Sequence, residues 1–382
     1  MTLHEATWTQ ARDSAHRLGH RLDSELVPIA QVDRRVSAAP INALTDLPGF
    51  TASAMDGWAV RGPEPWTIVG SVNAGDATPA PLESGTCVRI ATGGPVPLGA
   101  DGIVRIEHAS IVGGCVVGPA RAEDVRLAGE ECRKGDLLAD RGTTFSPALI
   151  GLVAAAGHDV VAVTSKPRVN LLVLGDELDR TGVPRAGRVR DALGPQVPAW
   201  LHRAGAEVTT LSNVPDLLDS LCAELARATA DVVITTGGTA AGPRDHLRAA
   251  LTKVGGQVVV DEVMVRPGHP MLLATIGGRP LVALPGNPQA AVVALLTLAL
   301  PLIDAMLGRP TAPPEHTRIV DPVGGLEDRE RLVPGRITEA GFESAAHSGP
   351  AMMRGLASSS GYALIPIGGA AAGDRVTWLA LP

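Results

Sequence analysis

Four loops in this 382-residue chain combine carboxylates, glycines and cations in patterns suited to anion and metal chemistry. Gly175-Asp176-Glu177-Leu178 follows the apolar run Val169 to Leu174 and brings two carboxylates to one point, where Asp191 and Asp245 can join them. Hard oxygen donors suit Mg2+, which takes one or two carboxylates and completes its shell with substrate phosphate. The run Asp231 to Thr235 leads into Thr236-Gly237-Gly238-Thr239-Ala240-Ala241-Gly242. Glycines there let backbone N–H groups close around a phosphate, although a plain glycine turn accounts for the same residues. Leu281 to Leu284 ends in Pro285-Gly286-Asn287-Pro288, with Asn287 placed to cap and Pro288 to open the apolar helix behind them. Arg266-Pro267-Gly268-His269-Pro270 holds two groups that are or can be cationic between prolines, which suits an oxyanion or simply a rigid surface turn. Asp56 and Thr92 each sit on a tight turn, in Ser53-Ala54-Met55-Asp56-Gly57 and Ala91-Thr92-Gly93-Gly94.

The spacing around these loops predicts the elements that position them. Strands are expected at Val169 to Leu174, Val208 to Leu211, Asp231 to Thr235, Val258 to Val263, Met271 to Ala274 and Leu281 to Leu284. Helices are expected at Pro215 to Ala228, His246 to Lys253 and Pro288 to Leu307. That alternation describes a doubly wound, mainly parallel α/β sheet covered on both faces, whose ligands bind beyond the carboxyl ends of the strands. Short Val, Ile and Thr runs broken by Gly and Pro make 44–136 a β-rich domain, with a hairpin at Ser110 to Val117 turning on Gly113-Gly114. Residues 1–43 and 137–165 form an N-terminal linker or helical domain, including an amphipathic helix from Thr7 to Leu26 and a helix at Ala148 to Ala156. His16 and His20 lie one turn apart on the first of these helices and are read as a solvated face. The α/β domain spans 166–309; beyond the Pro310 to Pro314 linker, 310–382 forms a C-terminal β-barrel-like domain.

Bulk properties narrow the function classes. A net charge of −7 with no Lys/Arg run offers no field for nucleic acid. Four scattered cysteines lack the spacing of a zinc site and fit a reducing, cytoplasmic location. No signal peptide is apparent at the start. The apolar run Ala290 to Leu307 contains Pro301 and Asp304 and is read as a buried helix, with no membrane partner.

Taken together, Ser53-Ala54-Met55-Asp56-Gly57-Trp58-Ala59-Val60, Gly85 to Gly93, Gly175 to Leu178, Thr236-Gly237-Gly238 with Asp245, and Leu284 to Pro288 resemble the molybdopterin molybdenumtransferase (MoeA) family in order. They are also similar to the corresponding domain of gephyrin. The resemblance implies insertion of molybdenum from molybdate into adenylylated molybdopterin, with release of AMP and dependence on Mg2+. It makes 166–309 the molybdopterin-binding domain and implies a homodimer, with the molybdopterin adenylyltransferase as a further partner. Carried over, Asp56 is the acid acting from the second subunit and Thr92 holds the substrate or metal oxyanion. Glu177, Asp191 and Asp245 order Mg2+ and the pterin phosphate; Thr236, Gly237, Gly238, Arg266, His269, Pro285, Gly286 and Asn287 complete the pocket. Arg266 and His269 stand where the family usually has lysines, and Pro215 where it usually has an acid. An alternative is a catalytically weakened protein that binds or carries the pterin or finished cofactor.

Overall fold

The computed structural model describes residues 2–239, 245–310 and 314–382. The chain divides into two compact units, one formed by 1–25, 34–38 and 163–382 and the other by 26–33 and 39–162.

The larger unit contains strands β1 (Leu3–Ala6), β2 (Arg168–Leu174), β3 (Glu207–Val214), β4 (Val232–Thr236), β5 (Gln257–Val263), β6 (Leu272–Ile276) and β7 (Arg279–Leu284) in one sheet. Their order is β1-β5-β6-β7-β4-β2-β3. β2 is parallel to β3 and β4, β4 to β7, and β1 to β5. β6 is antiparallel to both neighbours: Gly277 and Gly278, with φ of 54° and 82°, close β6 and β7 into a tight hairpin, and the connection from β5 to β6 through 264–271 is likewise too short for a crossover helix. Successive residues Leu171, Leu172 and Val173 are all at most 2% exposed, so both faces of the sheet are covered.

Helices α1 (Trp8–Leu18), α2 (Leu193–Ala204), α3 (Leu218–Arg227), α4 (Leu247–Lys253) and α5 (Pro288–Leu307) accompany the sheet. The apolar window of α5 is 83% buried, making it a core helix. Pro301 has no N–H for the Thr297 carbonyl one turn back, and the helix widens to a π turn over Leu295–Ala299 just before it.

Two expectations about helices change. The first helix stops at Leu18 instead of Leu26, and Ser24–Pro28 is a strand. A Cβ on Gly19 would lie 2.6 Å from the Ala305 side chain and 2.7 Å from the Leu302 carbonyl, so the chain turns off where it meets α5. His16 and His20 therefore do not share a helix. Conversely, α2 forms in a stretch containing Pro195 and Pro198 where no helix was expected.

Register aligns the strand ends. Leu174 pairs with Val214, Val173 with Thr236, and Thr236 with Leu284, so the loops leaving β2, β3, β4 and β7 emerge at one rim.

Beyond α5, strands Glu315–Arg318, Glu330–Thr338, Gly341–Ser344, Gly361–Ile365 and Arg375–Ala380 pair antiparallel. A bridge from Ile319 to Phe342 closes the ring around Phe342, Trp378, Val333 and Ile365, so the expected barrel-like domain is a small closed barrel. Val265–Arg266, directly after β5, pairs parallel with Glu330–Thr338.

The smaller unit is built on a seven-stranded sheet in which Gly57–Arg61 lies between Thr86–Ile90 and Gly102–Arg105. The expected hairpin is present, Ser110–Val112 against Cys115–Val117, with Gly113 and Gly114 at φ 59° and 81°.

Candidate functional site

The aligned strand ends of the larger unit surround a cavity of about 730 Å³. Its walls include Gly175 and Glu177 after β2, Asp216 after β3, Thr236-Gly237-Gly238 after β4, Gly286-Asn287 after β7, and Asp191 and Asp245. Gly237 and Gly238 adopt φ of 84° and 68°, and a Cβ on Gly238 would come within 2.8 Å of Leu174, so the turn after β4 requires glycine. Ala240 to Gly242 of the expected phosphate loop lie outside the described residues. Thr239 is anchored, since its carbonyl accepts from Arg248 Nη1 at 2.9 Å while the same guanidinium holds Asp261 at 2.6 Å. The start of the 20-residue α5 also opens on the cavity through Asn287 and Pro288, adding the partial positive charge of a helix N-terminus.

The carboxylates differ in how far they are already engaged. Glu177 is exposed, and Asp245 is half-buried. Asp191 is 8% exposed: its Oδ1 accepts from the Gly194 N–H at 2.9 Å and its Oδ2 lies 3.9 Å from Arg180. It therefore caps α2 as well as lining the cavity. Glu177, Asp191 and Asp245 do not gather within 4.8 Å of one another; the one such three-ligand cluster among the described residues lies elsewhere. Oxygen-only donors spaced around an open cavity suit a hard cation that takes one or two carboxylates and fills its shell from substrate phosphate.

Several wall residues were not among the expected site residues. Asp216 pairs with Asp176, each side chain accepting the other's backbone N–H at 3.1 and 3.3 Å. Leu178–Asp179 pairs parallel with Val189–Arg190, bringing Val189 and Arg190 into the wall. Hydrogen bonds from Arg185, at 2.7 Å, and from Arg188 hold the Asp179 carboxyl well below the usual carboxylate range and fasten the intervening loop. Ala351 and Met353 reach the cavity because Gln289, at the start of α5, donates from its backbone to Pro350 O and from Nε2 to Met352 O.

Arg266, His269 and Pro285 do not line this cavity. Arg266 is tied to the barrel by the Val265–Arg266 pairing and borders a separate cavity with Pro334 and Pro350. His269 donates from Nδ1 to Val263 O at 2.8 Å and turns Nε2 to Glu262 at 3.5 Å, a carboxylate neighbourhood where an oxyanion seat was expected.

In the smaller unit Asp56 and Thr92, 36 residues apart, meet directly. Asp56 Oδ1 accepts from the Thr92 N–H at 2.6 Å and from its hydroxyl at 2.9 Å. The register of Gly57 with Ile90 brings these strand ends together, because Asp56 precedes one strand and Thr92 follows its partner. A Cβ on Gly57 would fall 2.0 Å from Val104 O, so glycine alone fits beside Asp56. The backbone and hydroxyl bonds from Thr92 hold the Asp56 carboxyl below its ordinary range. At neutral pH Asp56 is an anionic acceptor, not a proton donor.

Residues 4–157 match the family model described as the MoeA N-terminal region (domain I and II), and 170–305 match that of a probable molybdopterin binding domain. Similar proteins include the molybdopterin molybdenumtransferases of Synechococcus elongatus, 30% identical over 90% of this chain and 91% of theirs, and of Haemophilus influenzae, 30% identical over 79% and 78%. A solved molybdopterin biosynthesis MoeA protein from Pyrococcus horikoshii superposes with a TM-score of 0.79 at 25% identity, covering 99% of both chains.

Proposed function

Since the chain belongs to the molybdopterin molybdenumtransferase (MoeA) family, we propose that it inserts molybdenum from molybdate into adenylylated molybdopterin, releasing AMP, as a cytoplasmic enzyme of molybdenum cofactor biosynthesis. The supporting observation is the convergence of four strand-end loops on one cavity of about 730 Å³, within the range of small-molecule and cofactor sites. The glycines at 237, 238 and 286 and the mouth of α5 bind and orient the phosphate end of the substrate. Glu177 and Asp245, with the less available Asp191, would hold Mg2+, which when bound neutralises phosphate charge. Asp56, kept ionised by Thr92, orients the reacting end by accepting a hydrogen bond or proton, and Thr92 fixes its position.

Arg266 and His269 are left out of this pocket on their placement. We assign the active form to a homodimer in which Asp56 serves the site of a second copy, with the molybdopterin adenylyltransferase as donor of the adenylylated substrate.

AMP release with molybdate and Mg2+ tests this reading. Glu177→Gln and Asp56→Asn should each slow release by about 100-fold or more. Mixed dimers of the two variants should regain activity, because one site per dimer then has both groups. Unchanged rates in the single variants would remove the assigned roles, and absence of recovery would remove the shared site.

A further inference from the structure

β1 and β5 run parallel, with His4 against Asp261 and Ala6 against Val263, which sets Glu5 beside Glu262 across the pair. Like charges on neighbouring strands repel unless something neutralises them. The turn after β5 then folds His269 back, and its ring joins the two glutamates so that one ligand atom from each lies within 4.8 Å of the others.

The neighbouring cations are engaged chiefly by other acids, although Arg329 also feels both Glu5 and Glu262. Arg248 approaches Glu262 only to 4.0 Å and is held by Asp261 and the Thr239 carbonyl. Arg329 is paired with Asp328, and His4 faces Asp261 at 3.5 Å. Two carboxylates and one imidazole thus face each other with only partial compensation from Arg248 and Arg329.

The imidazole is also oriented. Its Nδ1 donates to Val263 O at 2.8 Å, which fixes the tautomer and leaves the Nε2 lone pair directed toward the carboxylates. The Nε2 to Glu262 Oε2 separation is 3.5 Å. That is long for a hydrogen bond. It is close to the roughly 3.3 Å edge of a coordination tetrahedron with metal–ligand bonds of about 2.05 Å. Glu5 and Glu262 also adopt φ of 49° and 70°, a left-handed conformation uncommon outside glycine.

We propose that Glu5, Glu262 and His269 form a Zn2+ site, distinct from the substrate cavity. One nitrogen and two oxygens suit Zn2+ and exclude Mg2+ as the preferred guest, because Mg2+ favours an all-oxygen shell. Three protein ligands leave the fourth position for water. The inference does not depend on the proposed reaction, since none of the three residues lines the cavity at the strand ends.

The test uses the full chain, stripped with chelator and titrated with Zn2+ alone. Wild-type protein should bind one equivalent that millimolar Mg2+ does not displace, and Co2+ in its place should give a visible absorption band typical of low coordination. Glu262→Gln, His269→Ala and Glu5→Gln should each weaken Zn2+ binding by about tenfold or more. Glu5 is exposed, so its variant leaves packing intact and decides the matter should the others unfold. Failure of the wild type to bind, binding that survives Glu5→Gln, or displacement by Mg2+ would each overturn the site.

Discussion

The contact between Asp56 and Thr92 turns two isolated polar residues into one device. Thr92→Val removes the hydroxyl donor while leaving the backbone N–H, so the Asp56 pKa should rise part of the way to the ordinary value of about 3.9. Carboxyl-carbon NMR across an acid titration reads this directly; a pKa unmoved by the substitution would mean the hydroxyl does nothing for the charge. The sequence showed that both residues occupy glycine-rich turns, but their meeting depends on strand register, which no local pattern reveals. The Arg266–His269 turn misled for a related reason. Two cations between prolines suit an oxyanion, yet pairing of Val265–Arg266 with the barrel and the nearness of Glu262 decide what they touch.

Among the elements, the positions of six sheet strands were legible from apolar runs because both faces of the sheet are buried, whereas their order was not, and α2 was hidden by its prolines. Its cap explains how it forms: Asp191 accepts from the Gly194 N–H and starts the helix without help from Ala192. Asp191→Ala should cost about 1 kcal/mol, whereas Asp191→Asn keeps a competent cap and removes the charge. If Asp191 serves substrate electrostatics, the Asn variant should melt like wild type and lose AMP release. Retention of full activity would confine the residue to capping.

The wall segment beside α2 has its own pH response. Asp179 has a folded pKa depressed by Arg185 and Arg188, so its contribution is complete above about pH 5, beyond the unfolded value near 3.9, and is lost as pH falls through the folded value. Protection factors in Arg180 to Arg190, corrected for the intrinsic pH dependence of exchange, should therefore fall on acidification below about pH 4, and fall less in Arg185→Gln, whose Asp179 pKa is less depressed. Identical acid profiles for the two proteins would contradict the clamp.

Across the whole molecule, the boundary near residue 309 separates folds but not cores. A single cluster of buried side chains runs from Ala6 through Val169 and Leu298 to Leu332, Tyr362 and Leu379, joining sheet, α5 and barrel. Leu298 is fully buried at its centre, and Leu298→Ala should remove about 2 to 5 kcal/mol of stability. Sheet and barrel should unfold together in the variant as in wild type. Two separate transitions within the larger unit would disprove a shared core.

The chain leaves the larger unit briefly between Glu25 and Arg34, and for its long excursion at Ala38, returning at Val163. Ser37 bridges to Val163, and Thr164 donates to Val36 O at 2.8 Å, so departure and return lie side by side. Residues 39–162 are in this sense a guest in a host fold: a gene could lose or exchange them by joining two adjacent threads, at the cost of the short strand Val160–Thr164 that pairs with Ser24–Pro28. The device carrying Asp56 and the cavity carrying Glu177 are thus separable units of inheritance, free to change at different rates.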